Sequence, residues 1–91
     1  MEKNKEKEAL VFSSSEEIRK RFTRFVYECF EFSAYALHDK DLLKSELYLV
    51  PYQTILLDVD SIFYELKEIL RYIRDKDSKN KESKIYLITS I

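Results

Sequence analysis

Apolar residues recur at helical spacing in two long stretches of the chain. In the first, Ile18, Phe22, Phe25, Val26, Cys29, Phe30, Ser33, Ala36 and Leu37 fall three or four apart, while Arg19, Lys20, Arg24, Tyr27, Glu28 and Glu31 occupy the opposite side. Ser14 with Glu17 three residues later matches a capping box, in which each side chain satisfies the other's free backbone N–H. The pattern predicts a helix over 15–38. In the second stretch, Tyr52, Ile55, Leu56, Val59, Ile62, Phe63, Leu66, Ile69, Leu70 and Ile73 form a broad stripe from which only Leu57 departs. Pro51 suits the first turn of a helix, so the stripe predicts a second helix over 51–75.

The remaining segments read more briefly. Residues 1–8 alternate Lys and Glu and form a charged tail; 42–50 is a short helix or an irregular apolar segment; 75–84 is a polar connector. Ala9 to Phe12 and 85–91 combine β-branched and other apolar residues and favour strands. The expected fold is therefore mainly α, a single domain over 9–91. Two long antiparallel amphipathic helices flank a short middle segment, with a small β pairing of the N- and C-terminal segments. The alternative is an α/β fold in which 53–59 is a strand.

Composition narrows the chemistry. With 91 residues, 45% hydrophobic and 14% aromatic, the chain holds one modest core and leaves room for a stabilising partner. It contains no glycine, so phosphate-cradling loops and dinucleotide fingerprints in their usual form are excluded. One cysteine rules out an internal disulfide and any cysteine-rich zinc site. No apolar stretch resembles a signal peptide or a membrane span, so the expectation is a cytoplasmic protein without membrane association. Few Asn and Gln beside abundant Lys and Glu is a balance found in proteins of hot environments.

Ile55-Leu56-Leu57-Asp58-Val59-Asp60-Ser61 resembles the first motif of the haloacid-dehalogenase phosphatases, an apolar strand ending in Asp-x-Asp. The resemblance implies Asp58 as nucleophile and Asp60 as acid/base, with Thr89 or Ser90 standing where that family ends a later strand in Ser or Thr. It covers about seven residues. The usual glycine after the second Asp is absent, and no chain remains for the family's later lysine and metal-binding carboxylates. The helical stripe accounts for the same residues without catalysis. The only histidine, His38, reads as a favourable charge in a helix's last turn and Cys29 as core filling, so no enzymatic activity, metal or cofactor is expected.

Binding is the better expectation. Arg19, Lys20, Arg21 and Arg24 form one basic cluster, and a second runs over 71–84 with Arg71 and Arg74 at its head. The formal charge is +2 over 9–27, −6 over 28–70 and +3 over 71–91, a bipolar distribution suited to complementary docking. Tyr27, Tyr64 and Tyr72 fall off the apolar stripes and are candidate interface anchors. The expected function is a non-enzymatic accessory or regulatory interaction subunit that binds another protein, itself, or both. The alternative is a small nucleic-acid-binding module using the basic clusters 19–24 and 71–84.

Overall fold

A computed structural model describes residues 8–89 and overturns the mainly α expectation. Four strands, β1 (Ala9–Phe12), β2 (Ala34–Leu37), β3 (Thr54–Asp58) and β4 (Lys84–Ile88), form one all-parallel sheet in the order β2-β1-β3-β4. Helices α1 (Glu16–Phe30), α2 (Lys40–Leu49) and α3 (Leu66–Arg74) make the three crossovers. The fold is α/β.

Both expected long helices are broken, each for an identifiable reason. In the first, Ser15 rather than Ser14 is the N-cap, accepting from the Ile18 N–H at 3.3 Å. The helix stops at Glu31, whose φ of 60° is left-handed, and its N–H closes on the Tyr27 carbonyl. Residues 34–37 can then extend beside β1, in register from Ala9 opposite Ala34 to Phe12 opposite Leu37. In the second, Thr54–Asp58 is buried at every position, including the off-stripe Leu57. A continuous apolar run fits a strand covered on both faces as well as it fits a helix face, and spacing alone does not separate the two. A short 3₁₀ turn, Val59–Ser61, follows before α3 begins at Leu66.

The pairing expected between the chain's two ends does not occur, because β3 lies between β1 and β4. The tail expectation also ends early. Glu8 accepts from the Gln53 and Thr54 N–H groups, and its carboxylate accepts from the Ser33 N–H at 2.7 Å. Residues 1–7 lie outside the described residues.

Reversal of the strand order puts the helices on opposite faces. Phe22 and Val26 of α1 pack on Ala9, Val11 and Leu56, whereas Leu43 and Leu47 of α2 and Ile69 and Ile73 of α3 pack on Leu10, Phe12, Ile55 and Leu57. One helix therefore serves one face and two serve the other. On the α1 face the outer part of the sheet is thinly covered: Tyr86 remains 38% exposed and Phe25 47%.

Candidate functional site

The order in which strands are added to the sheet reverses between β1 and β3, and in open parallel sheets a crevice forms outside the carboxyl ends of the strands at such a point. Here Ser13 and Ser14 follow β1, Asp58, Asp60 and Ser61 end β3, and Thr89 follows β4. Asp58 thus sits where the phosphatase motif would put its nucleophile, at a strand end beside Asp60, rather than on the outer face of a helix. Its carboxylate is occupied, however. Oδ2 accepts from Ser13 Oγ at 2.7 Å and from Ser61 Oγ at 2.9 Å, and Oδ1 accepts from the Asp60 N–H at 3.3 Å. Asp58 is 5% exposed. Thr89 Oγ1 donates to Asp60 Oδ1 at 3.4 Å, while Ser90 lies outside the described residues.

Around this knot of hydroxyls, Ser14, His38, Asp39, Lys40 and Ser61 line a shallow cleft of about 520 Å³. His38 is not in a helix's last turn but in the loop from β2 into α2, where Asp39 caps the new helix through the Asp41 N–H at 2.9 Å. Lys40 is turned to Glu65 at 2.8 Å, and this hydrogen-bonded ion pair raises the lysine's pKa and holds the Glu65 carboxyl below its ordinary range. Among the described residues, no group of three or more His, Cys, Asp and Glu side chains is placed to hold a metal ion.

A larger groove, about 620 Å³, runs between α1 and the open edge of β2. Its floor is Ala34 and Ala36, which alternate along the strand and point to the α1 face, and their small side chains leave the space unfilled. The wall is α1, presenting Arg19, Lys20, Thr23, Arg24 and Tyr27, and Phe32 closes one end. Three cations face this groove against one carboxylate, Glu16, which pairs loosely with Lys20 at 3.6 Å. Arg19 is held in place by donating to the Ser13 carbonyl at 2.8 Å. Tyr27 is 65% exposed, and the Phe32 ring stacks on Phe30 at 5.5 Å.

No protein-family model, no curated protein and no solved structure matches this chain. Its own geometry must therefore sort the residues singled out from sequence. Arg19, Lys20, Arg24 and Tyr27 are brought together at the groove. Arg21 is not: it points to the other flank of α1, paired with Glu17 at 2.9 Å, beside Ile88 and Thr89. Arg71 and Tyr72 belong to α3 on the opposite sheet face, where they line a cleft of about 430 Å³ with Tyr48 and Asp75. Arg74 anchors the connector, donating to the Lys81 carbonyl at 2.6 Å. Tyr64 stands out at the turn before α3, almost fully exposed. The two basic clusters thus form two surfaces, not one.

Cys29, read as core filling, is exposed. Phe32 and Ala34 fall outside the helical stripe and Ala36 inside it, because a helix over 15–38 hides the strand that makes them a floor and an end wall. The Ala-x-Ala alternation was the available signal.

Proposed function

We propose that the protein is a non-enzymatic binding module whose α1–β2 groove takes a single-stranded nucleic acid. The observation that carries this reading is the convergence of Arg19, Lys20 and Arg24 with the rings of Tyr27 and Phe32 on one groove. Cations that track phosphates beside aromatic faces that stack bases are what sequence-tolerant single-strand binding needs. The groove lies at a sheet edge and is open along its length, which suits a flexible strand. The second basic cluster is not part of this site, since α3 lies across the sheet. Catalysis is not part of the reading either, because Asp58 is engaged by three internal donors.

Fluorescence anisotropy with a labelled poly-uridine oligomer tests the proposal. Three phosphate contacts give a slope of about −2 for log K against log salt, and losing a stacked base at Tyr27→Ala costs roughly 1–3 kcal/mol. The paired variant Lys20→Glu with Arg24→Glu is expected to abolish binding. Affinity that ignores those substitutions would remove the basis of the reading.

A second reading, a protein-interaction subunit, is favoured by a separate observation: among the described residues β4 is an edge strand, and Phe25, Tyr86 and Leu87 are exposed. Exposed apolar groups beside an unpaired edge favour association with another chain.

A further inference from the structure

Among the described residues, the backbone of β4 has a donor and acceptor row without a strand beside it. The Lys84 N–H donates to the Gln53 carbonyl at 3.2 Å, so alternation turns Tyr86 and Ile88 toward β3 and leaves the N–H and C=O of Ile85 and Leu87 facing away from the sheet. Edges of this kind are usually blunted by lysine, proline or a bulge. β4 has one such residue, Lys84, and only at its first position.

The two flanks of this edge differ. On the α1 face lie Phe25 and Tyr86, with Tyr86 stacked against Phe30 at 6.5 Å and Lys84 at the strand's start two residues before it on the same face. On the other face stands α3. One side of α3 is fastened to α2 by Lys40–Glu65 at 2.8 Å, Lys44–Glu68 at 2.9 Å and the Tyr48–Tyr72 ring contact. Helical spacing then puts Lys67, Leu70 and Arg74 on the side away from α2, toward β4. The reach of Arg74 to the carbonyls of Asn80 and Lys81, just before β4, fixes that orientation. This flank is basic and partly apolar, with Leu87 45% exposed beneath it.

We propose that the β4 edge takes up an extended segment of a partner protein as a fifth strand, with acidic residues toward Lys67 and Arg74 and apolar residues toward Phe25 and Tyr86. This rests on the interaction-subunit reading. Added strands gain affinity from main-chain hydrogen bonds and specificity from alternate side chains, and here one side sets cations over aliphatic groups while the other is mainly aromatic behind Lys84. A second copy suits the edge less well. Antiparallel β4–β4 pairing about a two-fold axis turns the basic Lys67 and Arg74 side of each α3 toward the other copy, and like charges so placed repel.

The test uses the full chain and a fluorescein-labelled peptide of alternating Glu and Val. It is expected to bind about tenfold more tightly than the Lys/Val version, and Lys67→Glu is expected to weaken it by about the same factor. N-methylation of one alternate set of peptide amides should abolish binding, and methylation of the other set should not, because only one set faces β4. Equal binding of the two methylated peptides, indifference to Lys67→Glu, or no binding by any peptide would overturn the inference. Dimers seen by light scattering without peptide, with Ile85 and Leu87 amides protected from exchange, would also overturn it by naming a second copy as occupant. That last result would leave the interaction-subunit reading standing.

Discussion

Asn80 shows how much one polar side chain can hold when it is buried with every valence used. Its Nδ2 donates to the Leu47 and Val50 carbonyls at 2.6 and 2.7 Å, and its Oδ1 accepts from the Tyr52 N–H at 2.7 Å and from Ser83 Oγ at 2.8 Å. These partners are the end of α2, the entry to β3 and the entry to β4. Asn80→Ala leaves several of them buried without a partner, so a loss of about 2–4 kcal/mol is expected in denaturant melts. Asn80→Asp should not rescue, because it replaces two donors with acceptors facing carbonyls. Glu31 is the opposite case, a residue whose backbone is ill suited to its place. With no glycine in the chain, an ordinary L-residue takes the left-handed position that ends α1. Glu31→Gly is expected to stabilise the fold by about 0.5 kcal/mol, raising the thermal midpoint slightly.

At the scale of elements, the strand assignment of 54–58 reverses the order of sensitivity that a long helix implies. Leu57→Ala should cost about 2–5 kcal/mol because the side chain is fully buried, whereas Phe63→Ala should cost little because Phe63 is 66% exposed. Urea melts of the two variants check this. The residues of β1, the short helix option for 42–50, the polar connector and the C-terminal strand were all legible from local composition. What spacing could not convey was that two helical stripes were in fact a helix and a strand laid end to end, since a buried parallel strand is apolar on both sides. The basic residues of the groove were legible as a cluster, but not its floor, which exists only once 34–37 is extended. The α2–α3 contact adds a pH dependence. Glu65 titrates below its ordinary value beside Lys40, so this pair's contribution is present above about pH 4.5 and is lost as pH falls through the lowered pKa. Its size is small because the pair is largely solvent-facing. At the other extreme, burial and a hydrogen bond to the Glu46 carboxylate push the Tyr52 phenol well above its usual 10.0. The folded state keeps that proton when the unfolded chain would release it, so stability falls as pH rises past about 10. Phenolate absorbance should show a late-ionising tyrosine that Tyr52→Phe removes, and the same variant should flatten the alkaline limb.

For the whole molecule, a near-neutral net charge conceals two separate basic surfaces, one by β2 and one by β4, at opposite edges of one sheet. If each edge has its own ligand, the paired Lys20→Glu and Arg24→Glu variant should abolish oligonucleotide binding while leaving the Glu/Val peptide's affinity within about twofold, as expected for sites with no shared contacts. The parallel arrangement also bears on how the chain reaches this state. Each pairing joins strands separated by a helix, so the sheet contains no hairpin that can form early on its own. β1, the second strand from the edge, must await both β2 and β3, the latter drawn from the middle of the sequence. Chains that depend on distant pairings fold slowly, and their apolar strands stay open to wrong partners meanwhile. From its synthesis until Thr54–Asp58 has followed, β1 therefore lacks its inner neighbour, and its run of Ala9, Leu10, Val11 and Phe12 is open over that interval to a chaperone or to a wrong strand.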